Sequence, residues 1–146
     1  MRGRRSSATL TAGEVSYREE STVTAETPHD IHRLFEQRFA AGDLDGMMEL
    51  YDPEAIFLTD AGEAVAGAAG IREVLAGFLQ LAETFELGHE PAVESDGVAL
   101  LQNKWTLKGR DPEGNPVEMA NRTAGIARLQ SDGDWRIVID NPWGLN

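Results

Sequence analysis

Toward the C-terminal end, three stretches rich in β-branched and aromatic residues read as consecutive antiparallel strands: Gly97–Leu107, Val117–Gln130 and Trp135–Asn141. The first connection, Arg110-Asp111-Pro112-Glu113-Gly114-Asn115-Pro116, combines prolines that fix φ with Gly and Asn that tolerate positive φ. The second is Ser131-Asp132-Gly133-Asp134. Earlier in the chain the period changes. Ile31, Leu34, Phe35 and Phe39, with Arg38 in part, form an i, i+3, i+4, i+7 stripe. It predicts a helix that opens at Thr27 or Pro28, has Asp30 in its first turn, and ends at Gly42-Asp43. Asp43 or Asp45 caps a second, short helix through Tyr51, with Leu44, Met47 and Leu50 inward and Pro53 closing it. Ala55–Thr59 predicts a strand, Asp60-Ala61-Gly62-Glu63 a turn, and Ala64–Ala66 a brief return strand. A third helix over Ala68–Glu83 gathers Ile71, Val74, Leu75, Phe78, Leu79 and Ala82 on one face, with Gly77 as its weak point. Phe85–Glu94 predicts a further strand, which Pro91 suits to an edge or a bulge.

This order implies an α+β fold, a cone-shaped roll in which a curved antiparallel sheet is covered on one face by three N-terminal helices. A cavity between sheet and helices is then the natural place for a ligand. If Gln130 faces Trp135 and Arg110 faces Val117, one sheet face carries Leu101, Asn103, Trp105, Leu107, Ala120, Arg122, Ala124, Ile126, Trp135, Ile137, Ile139 and Asn141. The other face carries Gln102, Lys104, Thr106, Met119, Asn121, Thr123, Arg136, Val138 and Asp140. The first is the more apolar and is expected to look at the helices. Asn103, Arg122 and Asn141 would be polar groups in that wall, suited to an oxygen-rich or carboxylate ligand, with Trp105 available to stack on it.

Composition narrows the classes. Residues 1–27 form a polar N-terminal tail, in which Val15–Tyr17 is a candidate edge segment; residues 28–146 form the domain. The formal charge is −12 and the tail is balanced, so the excess lies in the domain and disfavours nucleic acid as a partner. No apolar run approaches a membrane span, no cysteine is present, and the expected location is cytoplasmic. Three histidines without an i, i+4 pair point to no metal, and no cofactor is implied.

The run from Phe35 to Tyr51, with its Ala41-Gly42-Asp43-Leu44 turn, resembles the opening of the NTF2-like superfamily. So do Asp52-Pro53-Glu54-Ala55-Ile56-Phe57 followed by Gly67-Ala68-Ala69-Gly70-Ile71-Arg72, and Asp132-Gly133-Asp134-Trp135-Arg136-Ile137-Val138 at the last strand. Within it the chain is most similar to the SnoaL-like and DUF4440 groups, and its Asp140-Asn141-Pro142-Trp143-Gly144 ending resembles the YybH-type members. The resemblance implies a candidate catalytic Asp60, one residue beyond the position of the steroid isomerases' base, where Thr59 stands, and a His89 that pairs with it as in the cyclases. A turn role for Asp60 and a structural one for His89 are the competing readings. The isomerases' tyrosine position holds Phe35 and their protonated aspartate falls near Ala124-Gly125, which leaves Arg122 or Tyr51 as substitute donors. The expected function is therefore binding of a small organic molecule. An isomerase, cyclase or dehydratase and a homodimeric interaction domain are the alternatives, and a homodimer, compatible with each, is the expected assembly.

Overall fold

Thr27 caps the first helix through a reciprocal pair. Its hydroxyl accepts from the Asp30 N–H at 3.2 Å, and the Asp30 carboxylate accepts from the Thr27 N–H at 3.1 Å. With Pro28 in the first turn this starts α1 (Pro28–Ala40), whose inward ridge includes Ile31, Leu34 and Phe39. Asp43 then accepts from the Gly46 N–H at 2.9 Å and opens α2 (Leu44–Met48). The computed structural model describes residues 23–144. The expected edge segment at Val15–Tyr17 lies outside them.

Strand β1 (Tyr51–Leu58) begins four residues earlier than the apolar pattern implied, so Tyr51 belongs to the sheet and not to α2. It is followed by β2 (Ala64–Ala66), α3 (Ala68–Leu81), β3 (Ala82–Leu87), β4 (Val93–Ser95), β5 (Val98–Arg110), β6 (Pro116–Leu129) and β7 (Trp135–Asp140). The expected Phe85–Glu94 strand is two strands, both paired to β5 and separated by a loop containing Pro91. The Asp96-Gly97 pair, at φ of 50° and 79°, makes the tight turn from β4 into β5.

The strands lie in the order β2-β1-β7-β6-β5-β3, with β4 also on β5. This corrects three parts of the expected roll. The sheet is mixed, because β1 runs parallel to β7. Its curl is weaker than expected. The third helix lies between β2 and β3, not ahead of the sheet. Three helices packed against a mixed sheet remain, an α+β fold, with a core that includes Ile31, Leu34, Met47, Leu50, Ile71, Leu75, Leu101, Trp105 and Leu107. Among the described residues no helix is long and apolar enough to cross a membrane.

Register decides which side chains face the helices, and it differs by one residue from the expected pairing. Arg110 pairs with Pro116 and Leu129 with Trp135. Each hairpin loop closes one position away from the expected one, so β6 is turned over relative to β5. Asn103 is opposite Thr123, and Trp105 is opposite Asn121. The helix-facing residues of β6 are therefore odd-numbered, and Ala120, Arg122, Ala124 and Ile126 belong to the outer face. Between the Ala127–Ile137 and Ile126–Ile139 pairs β7 carries one extra residue, a bulge. Gly125 sits against it: a Cβ there would lie 2.9 Å from the Ile139 carbonyl oxygen.

Two glycines give opposite stability predictions. Gly77, in α3, has open space where a Cβ would go, so Gly77→Ala should stabilise the fold by about 1 kcal/mol in urea denaturation. At Gly109 a Cβ would lie 1.7 Å from the Leu81 carbonyl oxygen, where α3 passes into β3. Gly109→Ala should destabilise by roughly 2 kcal/mol or more in the same measurement.

Candidate functional site

A cavity opens between α1, α3 and the sheet. Helix α1 contributes Ile31, His32, Phe35 and Phe39, and α3 contributes Leu75 and Phe78. The sheet contributes Phe57, Phe85, Leu101, Trp105, Thr123, Gly125, Ile137 and Asp140, among others. About 70 Å³ of it can hold the centre of a water molecule, and the atom-free space is about 680 Å³ with the open mouth included. Among the described residues of the lining, six are Phe or Trp. The Phe39 and Phe85 rings stack with centroids 4.2 Å apart, and Phe35 tilts against both.

Beyond β7 the chain turns across the cavity at 142–144 and is held there by indole donors. Trp105 Nε1 donates to the Pro142 carbonyl at 2.7 Å, and Trp143 Nε1 to the Leu58 carbonyl at 3.0 Å. The two indoles meet edge to face at 5.6 Å. Asn141 braces this turn, its Nδ2 donating to the Gly144 carbonyl at 2.6 Å while its Oδ1 accepts from the Trp143 N–H at 3.2 Å.

Besides Thr123, titratable side chains of the described residues enter the cavity at two places. One is His32, which is 5% exposed and packed on the fully buried Asn103. The Glu90 N–H donates to Asn103 Oδ1 at 2.6 Å, so the amide NH₂ is left to donate to the imidazole. The ring must accept there, which requires it to be neutral. Burial, reinforced by His29 and His89 nearby and opposed by Glu90, lowers its pKa to about 4.

The second is Asp140. The bulge in β7 turns its half-buried carboxylate toward the helices, in register with Phe57 on β1. Tyr51, 4% exposed, donates its hydroxyl to Asp140 Oδ2 at 2.5 Å. Desolvation raises the carboxyl to about 6, only partly offset by that hydrogen bond. Burial, then the Asp140 charge and the hydrogen bond itself, hold the Tyr51 phenol well above its usual value, so it remains a donor.

The residues expected to form the site are only partly brought together. Asn103, Trp105 and Tyr51 lie at or immediately behind the cavity wall. Arg122 does not: its side chain is outside, 47% exposed, and pairs with Glu90 at 3.0 Å. Asn141 serves the terminal turn. Asp60 is exposed in the β1–β2 turn, where the Thr59 hydroxyl accepts the Glu63 N–H. His89 lies beyond β3, the opposite edge of the sheet, bonded to Glu36 at 2.9 Å, so the two do not form a pair. Asp140 and His32 are additions that the pattern of the chain did not single out. A glycine inside a strand is a bulge signal that pointed to Asp140, and the Pro28–His32–Phe35–Phe39 ridge of α1 pointed to His32. Among the described residues no group of three or more His, Asp or Glu is arranged to hold a metal ion.

The model of the SnoaL-like domain matches residues 31–138, most of the chain. The chain belongs to the SnoaL-like family. Solved structures with the same fold include a ketosteroid isomerase-like protein from Erwinia carotovora atroseptica, at TM-score 0.68 and 13% identity, covering 77% of this SnoaL-like chain and 88% of that one. Another is a cystatin-like-fold protein from Caulobacter vibrioides, at TM-score 0.67 and 17% identity over 80% and 86% of the two chains. A third is a conserved protein from Planctomyces limnophilus, at TM-score 0.67 and 16% identity over 90% and 95%. No curated protein matches this SnoaL-like sequence significantly.

The two shifted groups make a pH prediction. Asp140 has a folded pKa near 6 against 3.8 unfolded, so folding favours its acid form. Its effect on stability is absent below the unfolded value, grows unfavourable as pH rises toward 6, and then levels at a cost on the order of 3 kcal/mol. His32, near 4 folded against 6.5 unfolded, acts oppositely, stability being lost as pH falls through that window. In the native protein the two slopes largely cancel. Asp140→Asn keeps an acceptor for Tyr51 and should raise stability at pH 8 while leaving it nearly unchanged at pH 4, as read by chemical denaturation at both pH values.

Proposed function

We propose that this SnoaL-like protein binds a small, largely apolar organic molecule in the cavity between α1, α3 and the sheet. The observation that carries the reading is the aromatic lining with two titratable groups set into it, each held by a buried partner. That is the composition of a site that takes up a ring and orients it by a few hydrogen bonds. Trp105 forms part of the wall, so titration with single-ring phenols or alcohols should change intrinsic fluorescence saturably. Thr123→Phe, which fills the cavity from the sheet side, should abolish the saturable change while the protein stays folded by circular dichroism. An unaltered titration in that variant contradicts the assignment.

Proton-transfer chemistry of the isomerase, cyclase or dehydratase kind is the second reading, and Asp140 supports it in place of Asp60 and His89. A carboxylate raised to about 6 by an apolar cavity, and held by a phenol that stays protonated, can accept a proton from a bound C–H or O–H and return it. Fold neighbours described as ketosteroid isomerase-like are consistent with it.

For homodimerisation the supporting feature is a row on the outer sheet face. Val93 pairs with Leu100, Leu100 with Ile126, Ile126 with Ile139 and Ile139 with Ile56. Val93 is 64% exposed, and Ile139 and Ile56 are close to 40%. A second copy packed on this row would cover it. Sedimentation at micromolar concentration should show a dimer that Ile56→Glu splits; a native monomer contradicts this.

A further inference from the structure

Among the described residues the cavity holds an acid and no cation to neutralise it. Asp140 Oδ2 is taken by Tyr51, while Oδ1 accepts no hydrogen bond from any described residue. Among the described residues no Lys or Arg lines the cavity. The nearest candidate from the sequence, Arg122, is on the outer face and engaged with Glu90. Among the described residues His32 is the other titratable group in the lining, and its contact with Asn103 requires it to be neutral. Beside Asp140 stands Phe57, its register partner on β1, whose ring lies 6.5 Å from that of Phe78. Phe35, Phe39, Phe85 and Trp105 continue the aromatic wall.

Three physical consequences converge. An unpaired charge inside an apolar site is costly, and a ligand that brings the opposite charge relieves that cost on binding. Aromatic faces attract an ammonium group through their quadrupoles, most strongly where water is excluded. A chain with a formal charge of −12 raises the concentration of cations near its surface. A carboxylate or phosphate ligand meets the reverse of each.

We infer that the ligand of this cavity is a small protonated amine bearing one aromatic or alicyclic ring, its ammonium against Asp140 Oδ1 and its ring among the phenylalanines and Trp105. This inference rests on the cavity-binding reading and adds the charge class of the ligand. Room for water centres of about 70 Å³ suits a single ring with a short side chain. By occupying Oδ2, the Tyr51 hydroxyl leaves Oδ1 as the acceptor for the ammonium.

The test compares 2-phenylethylamine, 2-phenylethanol and phenylacetate by calorimetric titration of the whole protein at pH 7.5 and at pH 5. The amine should bind at least roughly tenfold more tightly than the alcohol at pH 7.5, and phenylacetate should bind more weakly than either. Lowering the pH to 5 protonates Asp140, so amine affinity should fall while alcohol affinity holds. Asp140→Asn should bring amine and alcohol to equal affinity without losing the alcohol. Equal binding of amine and alcohol by the native protein, or an amine preference that survives Asp140→Asn, overturns the inference and leaves the cavity-binding reading standing. Absence of binding by all three at millimolar concentration overturns both.

Discussion

One extra residue in β7 determines what the cavity can do. At regular pairing the side chains of Ile137 and Ile139 would both face the helices, and Asp140 would look outward. Val138 interrupts that alternation, so Ile137 and then Asp140 point inward, while Ile139 takes its place on the outer face. The bulge is possible because residue 125 on β6 is a glycine; any side chain there would press on the Ile139 carbonyl. Tyr51 reaches the same carboxylate because β1 starts immediately after α2 and runs parallel to β7. A backbone irregularity, a glycine and a parallel strand pair thus combine to put one acid where an apolar residue would otherwise pack.

The energetic character of the site follows from that placement. The acid on β7 and the imidazole on α1 are both shifted toward their neutral forms, by burial in each case. His32 has a neutral hydrogen-bonding partner that suits this state. Asp140 has a phenol that eases its ionisation without cancelling the desolvation. The imidazole is satisfied as it stands, whereas the carboxylate carries an unfavourable charge at neutral pH and is relieved by a suitable guest. A group kept at the expense of stability and open to a cavity is more readily understood as a binding or reacting group than as packing.

Much of the architecture was legible in the chain. The helical stripe from Ile31 to Phe39, the turn chemistry around Gly42-Asp43 and the three late strands all form where the apolar period placed them. So did the inward set on β5, Leu101, Asn103, Trp105 and Leu107, because its alternation is unbroken over the length of the strand. Pairing register was less legible. Two hairpin loops that each close one position from the expected residue turn β6 over, so Arg122 leaves the cavity and Thr123 enters it, while the bulge in β7 takes Asn141 out. Nothing in the composition of β6 resists this, since its odd and even positions are similarly mixed. The element order located the cavity and the motif-level resemblance the family, and the positions it matched at Phe35 and Gly125 both lie in the cavity wall, but it attached the candidate chemistry to Asp60 on an exposed turn.

The proposed site requires Asp140 to be desolvated inside the cavity. Its carboxyl carbon can be followed directly by ¹³C NMR as pH is varied, with Asp140→Asn to assign the signal. A midpoint near 6 is expected. A midpoint at or below the ordinary aspartate value of about 3.9 would place the carboxylate in water or beside a cation and contradict the assignment.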